Sequence, residues 1–273
     1  MNLSASFFLL LLAFSSPLRS QDFKNSGGEP VTHVVAVFPT SDSLPANLLR
    51  MYIHFSHAMR PIENLEKIKI LTEDGQEIKG AIFNNNTELW NAEQTQLTLI
   101  FDPSRVKTGL WANEEMGRAL VEGKEYQLVV GSLEDAEGNS TAPFSKSFIA
   151  IEEDLNAPNR SNWTFVKPKI GSSEPMIESF PEPLDYLGLL QRIQLTDREK
   201  KPVSGGIEIS AGETEWRLYP ANEWAEDEYI LFVHSRLEDP SGNNLNGLFD
   251  HAIGTLKNEK EGAIETITIQ LSN

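Results

Sequence analysis

Glu178, Glu182 and Asp185 fall in one short stretch of the chain, and grouped acids are where hydrolytic chemistry starts. A glycoside hydrolase holds an acid and a carboxylate across a cleft at a set separation. Clusters of this kind also arise by chance in an acidic chain, so we expect no catalysis from them. Two Asp-x-x-Gly-Asn stretches, 135–139 and 239–243, place carboxylate and amide oxygens within one turn. This makes Asp135, Asn139, Asp239 and Asn243 the weak calcium candidates. A hairpin turn needs the same composition without a metal, because Gly and Asn tolerate positive φ and Asp bonds the backbone two residues on. The spacing is not that of an EF-hand loop, and turns are the expectation. His54 and His57 are three apart at a strand end and would face opposite sides, while His33, His234 and His251 are isolated. No HExxH, Walker-type, GxGxxG or GxSxG stretch occurs. With no cysteine, disulfides, thiolate metal sites and cysteine nucleophiles are excluded. The expectation is a non-enzymatic protein without a cofactor.

The tryptophans are the better lead. Trp90, Trp111 and Trp224 lie in or beside loops, where an exposed indole can stack on a sugar ring or a partner protein. Rings that plug the open end of a sandwich account for them as well. Trp216, matched below to Leu99, is expected in a core.

The elements that must position these residues are strands. Residues 125–139 read EYQLVVGSLEDAEGN and residues 228–243 read EYILFVHSRLEDPSGN, each an alternating strand opening on tyrosine and followed by an acidic turn. Ahead of the first copy, strands are expected at 31–38, 49–56 (with Met51, Ile53 and Phe55 on one face), 68–72, 77–83 returning from an Asp-Gly turn, and 97–101. A long connection, 104–124, precedes Tyr126, and 144–151 closes the unit. The second half echoes this order: Phe55 matches Phe180, Ile68 matches Ile193, Ile78 matches Val203, Gly80 matches Gly205 and Ile82 matches Ile207. Leu99, Phe101 and Pro103 then match Trp216, Leu218 and Pro220. Ile53 matches Glu178, a charge at an inward position, which calls for a bulge, a register slip or an edge. Residues 62–67 and 185–191 are the short helical candidates, and 264–271 reads as an extra C-terminal strand.

Tyr-x-Leu-x-Val leading into Glu-Asp-x-x-Gly-Asn, preceded by the strand end from Ile53 to Met59, resembles the SbsA-type bacterial Ig-like domain. Both halves carry the pattern. The resemblance implies an Ig-like sandwich in an envelope or extracellular setting and no activity of its own. The residues agree: Tyr126 and Tyr229 open penultimate strands after polar corners, as in a tyrosine corner whose hydroxyl bonds to upstream backbone.

The sequence therefore reads as all-β, with two tandem Ig-like or fibronectin-like β-sandwich domains after a signal peptide. The expected segments are a signal peptide at 1–20, a lead-in at 21–30, domains at 31–152 and 162–273, and a linker at 153–161. The apolar run 7–14 suits a signal-peptide core and is too short to span a bilayer. No membrane anchor is expected, and the destination is the periplasm or the exterior. A net charge of -17 argues against nucleic acid as a partner. That leaves an unknown protein or glycan of the cell envelope.

Overall fold

The computed structural model describes residues 32–61, 65–83, 89–251 and 262–272. The expected signal peptide, the lead-in and the first half of the 62–67 turn lie outside them.

Alternation sets the strands. In β3 (Arg50–Phe55), Met51, Ile53 and Phe55 are buried, as expected from their period of two. Tyr126, Leu128 and Val130 do the same in β7 (Glu125–Val130), and Tyr229, Leu231 and Val233 in β14 (Glu228–His234). The first half adds β1 (Val34–Phe38), β2 (Ser43–Pro45), β4 (Ile68–Thr72), β5 (Leu89–Trp90), β6 (Gln96–Ile100) and β8 (Phe144–Ile151). These form two sheets, ordered β1-β3-β6-β5 and β2-β8-β7-β4. The second half has β9 (Thr164–Val166), β10 (Met176–Ser179), β11 (Ile193–Thr196), β12 (Gly205–Ile209), β13 (Glu215–Pro220) and β15 (Ile264–Gln270). Its sheets run β12-β13-β10-β9 and β11-β14-β15. The molecule is all-β, of the Ig-like sandwich kind. Its buried apolar residues fall into two clusters, one drawn from positions between Val34 and Ala150 and one from positions between Trp163 and Leu271. Each fully buried Leu, Ile or Val contributes about 1.5–3 kcal/mol to its own cluster.

Several expectations change. The returning strand at 77–83 does not form. After a single bridge from Glu77 to Leu71 and a bond from Ile78 N to Ile70 O, the chain leaves the β4 sheet and joins the other, where Ile82 bridges Phe101. Val203 N bonds Leu195 O just as Ile78 does, but the second half crosses over with two residues fewer. Ala81 and Ser204 are then equivalent, through the bonds from Asp102 N and Ala221 N. Phe55 and Phe180 accordingly donate to Thr95 and Thr214, and Leu97, not Leu99, is the counterpart of Trp216. The C-terminal strand is no addition: β15 pairs with β14 as β8 pairs with β7.

The connection 104–124 holds two short helices, α1 (Pro103–Val106) and α2 (Trp111–Met116). Asp102 caps α1 by accepting from Ser104 N at 2.9 Å, with Pro103 in the first turn, a start signal present in the sequence. The expected turn at 185–191 is α3 (Tyr186–Gln191), capped by Asp185.

Candidate functional site

Polar chemistry gathers where the halves meet. Asp185 accepts from Gly188 N at 2.7 Å through one oxygen, capping α3, and from the Tyr52 hydroxyl of β3 at 2.5 Å through the other. Beside it Arg50 pairs with Glu238 at 3.0 Å. The turn residue Glu213 accepts from Thr40 N at 3.0 and 3.1 Å and from Thr40 Oγ1 at 2.7 Å. Tyr186 stacks on Phe38 with ring centroids 3.7 Å apart and meets His54 edge-on. Phe38, Tyr52 and His54 stand on the outer face of the β1-β3 sheet. That face would meet solvent in an isolated sandwich, and here it is covered by the start of α3. Burial lowers the His54 pKa to about 4, so the ring is neutral.

The acidic turn of the second half enters the same seam. Leu49 N donates to Pro240 O at 2.9 Å. Asn47 accepts from Ser241 Oγ at 2.9 Å and from Asp154 N at 3.0 Å, and it donates to Asp154 O at 2.9 Å. Asn243 Nδ2 donates to the same Asp154 carbonyl at 3.0 Å. One asparagine thus ties β3's approach, the linker and the second half's turn together. Further along, Thr108 N donates to the Asp250 carboxylate at 3.1 Å, and Phe249 packs against the first half's core with Lys107 4.4 Å above its ring.

Burial raises the carboxyl pKa values in this seam. It does so at Asp185 against the pull of Tyr52 and Arg50, at Glu213 against its bonds from Thr40, and at Glu238 against Arg50. Asp239 is pushed up to about 8 by burial and then by Asp154. Tyr52 is also raised, by burial and Asp185, so its hydroxyl stays a donor.

The calcium candidates have other work. Asp135 accepts from Glu137 N, Asn139 N, Asn139 Nδ2 and Thr32 Oγ1 at 2.8–3.2 Å. Asp239 accepts from Ser241 N, Asn243 N and Asn243 Nδ2 at 2.8–3.0 Å. Such bonds are those of the hairpin turn, and among the described residues no three acidic or histidine side chains group to hold a metal. The acid stretch does not converge either. Glu178 points into the second core, Glu182 is exposed, and Asp185 is bound in the seam.

Glu178 corrects its expectation. It lies in the regular register of β10, between β9 and β13 rather than at an edge, with 0% exposure. Neither carboxyl oxygen has a hydrogen-bond partner, nor does Nε1 of the cross-strand Trp216. Burial pushes the Glu178 pKa to about 8 despite Arg160.

The tryptophans separate. Trp224 is buried, donates to Glu174 O at 2.8 Å and meets Tyr229 edge-on, so it is a plug and no platform. Trp90 is half-buried, tilted against Phe55. Trp111, on α2, is 72% exposed, with Met116 on the same helix also exposed. Beneath them the buried Arg105 guanidinium donates to the carbonyls of Lys79, Met116, Gly117 and Arg118 at 2.8–3.4 Å. Asn113 Nδ2 returns a bond to Arg105 O at 2.6 Å. Both tyrosine corners form: Val121 N donates to the Tyr126 hydroxyl at 2.8 Å, and Glu226 N to that of Tyr229 at 3.2 Å.

Sequence reasoning overlooked Asn47, Arg50, Tyr52, Glu213 and Glu238. One signal lay in the turns, where the exposed-type Glu137 of the first is replaced by Ser241 in the second. Arg105 carried none, since a lone arginine in a loop reads as surface.

These features define a class of protein, an all-β chain of Ig-like sandwiches with a polar seam and one presented indole. No family model matches the chain, and no curated protein matches it in sequence. Among solved structures it is similar to CopC from Methylosinus trichosporium OB3b, at 16% identity and a TM-score of 0.31. That match covers 46% of this chain and 99% of that one. It is also similar to the N-terminal part of the bacterial S-layer protein SbsC, at 10% identity and TM-score 0.30, covering 89% of this chain and 44% of that one. A chimeric titin Z1Z2 tandem is 12% identical with a TM-score of 0.19, covering 84% of this chain and 92% of that one. Among the described residues no helix is long and apolar enough to cross a membrane.

Proposed function

We propose that this chain is an exported, non-enzymatic interaction protein in which two bacterial Ig-like modules of the SbsA-type kind present one binding face to a protein of the cell envelope. The observation that carries the reading is Trp111. A large ring held in water loses contact energy that a partner can supply, and a rigid anchor spends little entropy on binding. Arg105 and Asn113 hold the loop under it from within, so the indole is positioned before any partner arrives. Of the three acids that might have done chemistry, Glu178 is spent on the second core and Asp185 on the seam, leaving Glu182 alone at the surface, which supports a structural use. Two of the three indoles proposed for stacking on sugar are buried or half-buried, which weakens a carbohydrate platform.

Crosslinking capture from the native envelope, comparing the wild-type chain with Trp111→Ala, tests this. The same protein should be recovered with the wild type and fall by about tenfold or more with the variant. Glycan-array binding that Trp111→Ala abolishes would favour the carbohydrate reading instead. Polysaccharide hydrolysis lost on Glu182→Gln would overturn both.

A further inference from the structure

The seam is an unusual place for so much acid. Four carboxyls of the second half, Asp185, Glu213, Glu238 and Asp239, lie in it, and Asp185, Glu213 and Asp239 are almost wholly enclosed. Facing them are Arg50 and Tyr52 on β3, Thr40 just after β1 and Lys146 on β8 from the first half, and Asp154 from the linker. From the second half's own side, Arg192 at the end of α3 acts on Asp185 and Glu238, and Tyr186 lies near Glu213. The cations are fewer than the acids. Lys146 is further shared with Asp42, and Arg50 is committed to Glu238. Asp185 and Glu238 repel each other, as do Asp185 and Glu213, and Asp239 and Asp154.

We propose that this seam is a proton-dependent lock: protonated carboxyls let the second domain close on the sheet face of the first, and their ionisation loosens it. The geometry gives the direction. Separating the halves would return these carboxyls to water, where they ionise in the ordinary range, whereas closure holds them among low-dielectric walls and one another. The closed form therefore binds more protons than the open one, and its advantage declines as pH rises. That advantage is complete below the ordinary carboxylate range. It is lost through the raised range, which for Asp239 extends to about 8. The inference does not depend on what Trp111 binds.

The chain contains no cysteine, so a reporter pair can be placed at will. Glu73→Cys and Glu199→Cys put spin labels on exposed turns of the two halves, away from the seam. A Glu178→Gln background removes the carboxyl of the second core, whose own titration would otherwise add to the signal. Pulsed dipolar spectroscopy should give one narrow distance at about pH 5 and an open population larger by about tenfold or more at about pH 9, reversibly. Far-UV circular dichroism should be unchanged between them. Adding Asp185→Asn, Glu213→Gln and Asp239→Asn, which keep shape and remove charge while leaving the Arg50–Glu238 pair in place, should hold the narrow distance at both. An unchanged distance in the parent, or equal broadening in the neutralised variant, would overturn the lock.

Discussion

The turns at 135–139 and 239–243 are built alike and placed in opposite surroundings. Each aspartate accepts from the same two backbone amides and from the same asparagine side chain. At Asp135 burial, which would raise the pKa, is outweighed by the bonds from Thr32, Asn139 and Glu137, and the carboxyl is held below its ordinary value. At Asp239 burial wins, because the linker and β3's approach close over the turn. The same contrast repeats around the turns. Arg60 N and Asp185 N make equivalent bonds to Glu134 O and Glu238 O, but Arg60 pairs with Glu134 in solvent, whereas Asp185 and Glu238 reach Tyr52 and Arg50. Gln94 and Glu213 occupy equivalent positive-φ turn positions, and Glu213 binds the other half through Thr40. Around these turns the backbone hydrogen bonds match, so most of the seam comes from changed side chains, with Leu49 N to Pro240 O as a backbone contribution.

The core positions Ile53 and Glu178 give the largest test of that equivalence. Each faces inward from the strand at the centre of its sheet, opposite Leu97 and Trp216. Ile53→Glu should cost the first domain about 4 kcal/mol or more, since no partner awaits the charge. The reverse change, Glu178→Ile, should stabilise the second by about 1–3 kcal/mol at neutral pH. Wild-type stability should also depend on pH. A carboxyl whose folded pKa is raised supports the fold fully below its unfolded value, and that support fades as pH rises through about 8. Between about pH 6 and pH 9 the loss should be roughly 2–3 kcal/mol, and it should vanish in Glu178→Ile. Hydrogen exchange at β10 and β13 reads it separately from β3 and β6. Flat exchange protection across that range would show that Glu178 finds a partner in solution.

Next in size is the glycine pair. Gly242 has φ +83°, and a Cβ there would lie 2.5 Å from Leu49 Cδ2 and 3.3 Å from Phe249 Cγ. Gly138 has φ +89° but only the end of the Arg60 side chain nearby, at 3.4 Å. Gly138→Ala should cost about 1 kcal/mol for the left-handed backbone alone. Gly242→Ala adds a clash across the seam and should cost about 2–4 kcal/mol in denaturant titration. Equal costs would mean that the seam is looser than its contacts indicate.

How much of this was legible follows from where each burial originates. Met51, Ile53 and Phe55 are enclosed by their own sandwich, so alternation alone marks them. Tyr52, between them, is buried by α3 of the other domain, and no periodicity within its strand records that. Trp224 and Trp111 have similar loop-like surroundings in sequence. The first is covered by the nearby Tyr229 and tied to Glu174, distant in sequence, the second by nothing comparable. The tyrosine corners and Gly-Asn turns were readable because their partners are close in sequence. The two-residue offset in the crossover was not, because Ile82 and Ile207 are similar residues at different register positions. Glu178 announced itself as an anomaly, for which a bulge, a register slip or an edge is the expectation as long as the acid is taken as charged; burial in a regular register that favours the neutral form is the answer the residues did not offer.

The smallest contrast is between two ion pairs. Arg60–Glu134 is half-exposed on both sides, and Arg60→Ala should change stability by about 0.5 kcal/mol or less, with the difference fading in salt. Arg50–Glu238 is more enclosed, at 28% and 16% side-chain exposure, and it joins the domains. Arg50→Ala strands Glu238 beside Asp185 and should cost about 1–2 kcal/mol, less screened by salt. The double variant Arg50→Ala, Glu238→Ala should recover part of that loss, because much of it is the penalty of an unpaired buried acid. A double-mutant cycle in which the coupling equals that of Arg60–Glu134 would reduce Arg50 to a surface residue. The orientation of the two halves would then rest on Asn47, Tyr52 and the apolar contacts of Phe38 and Phe249.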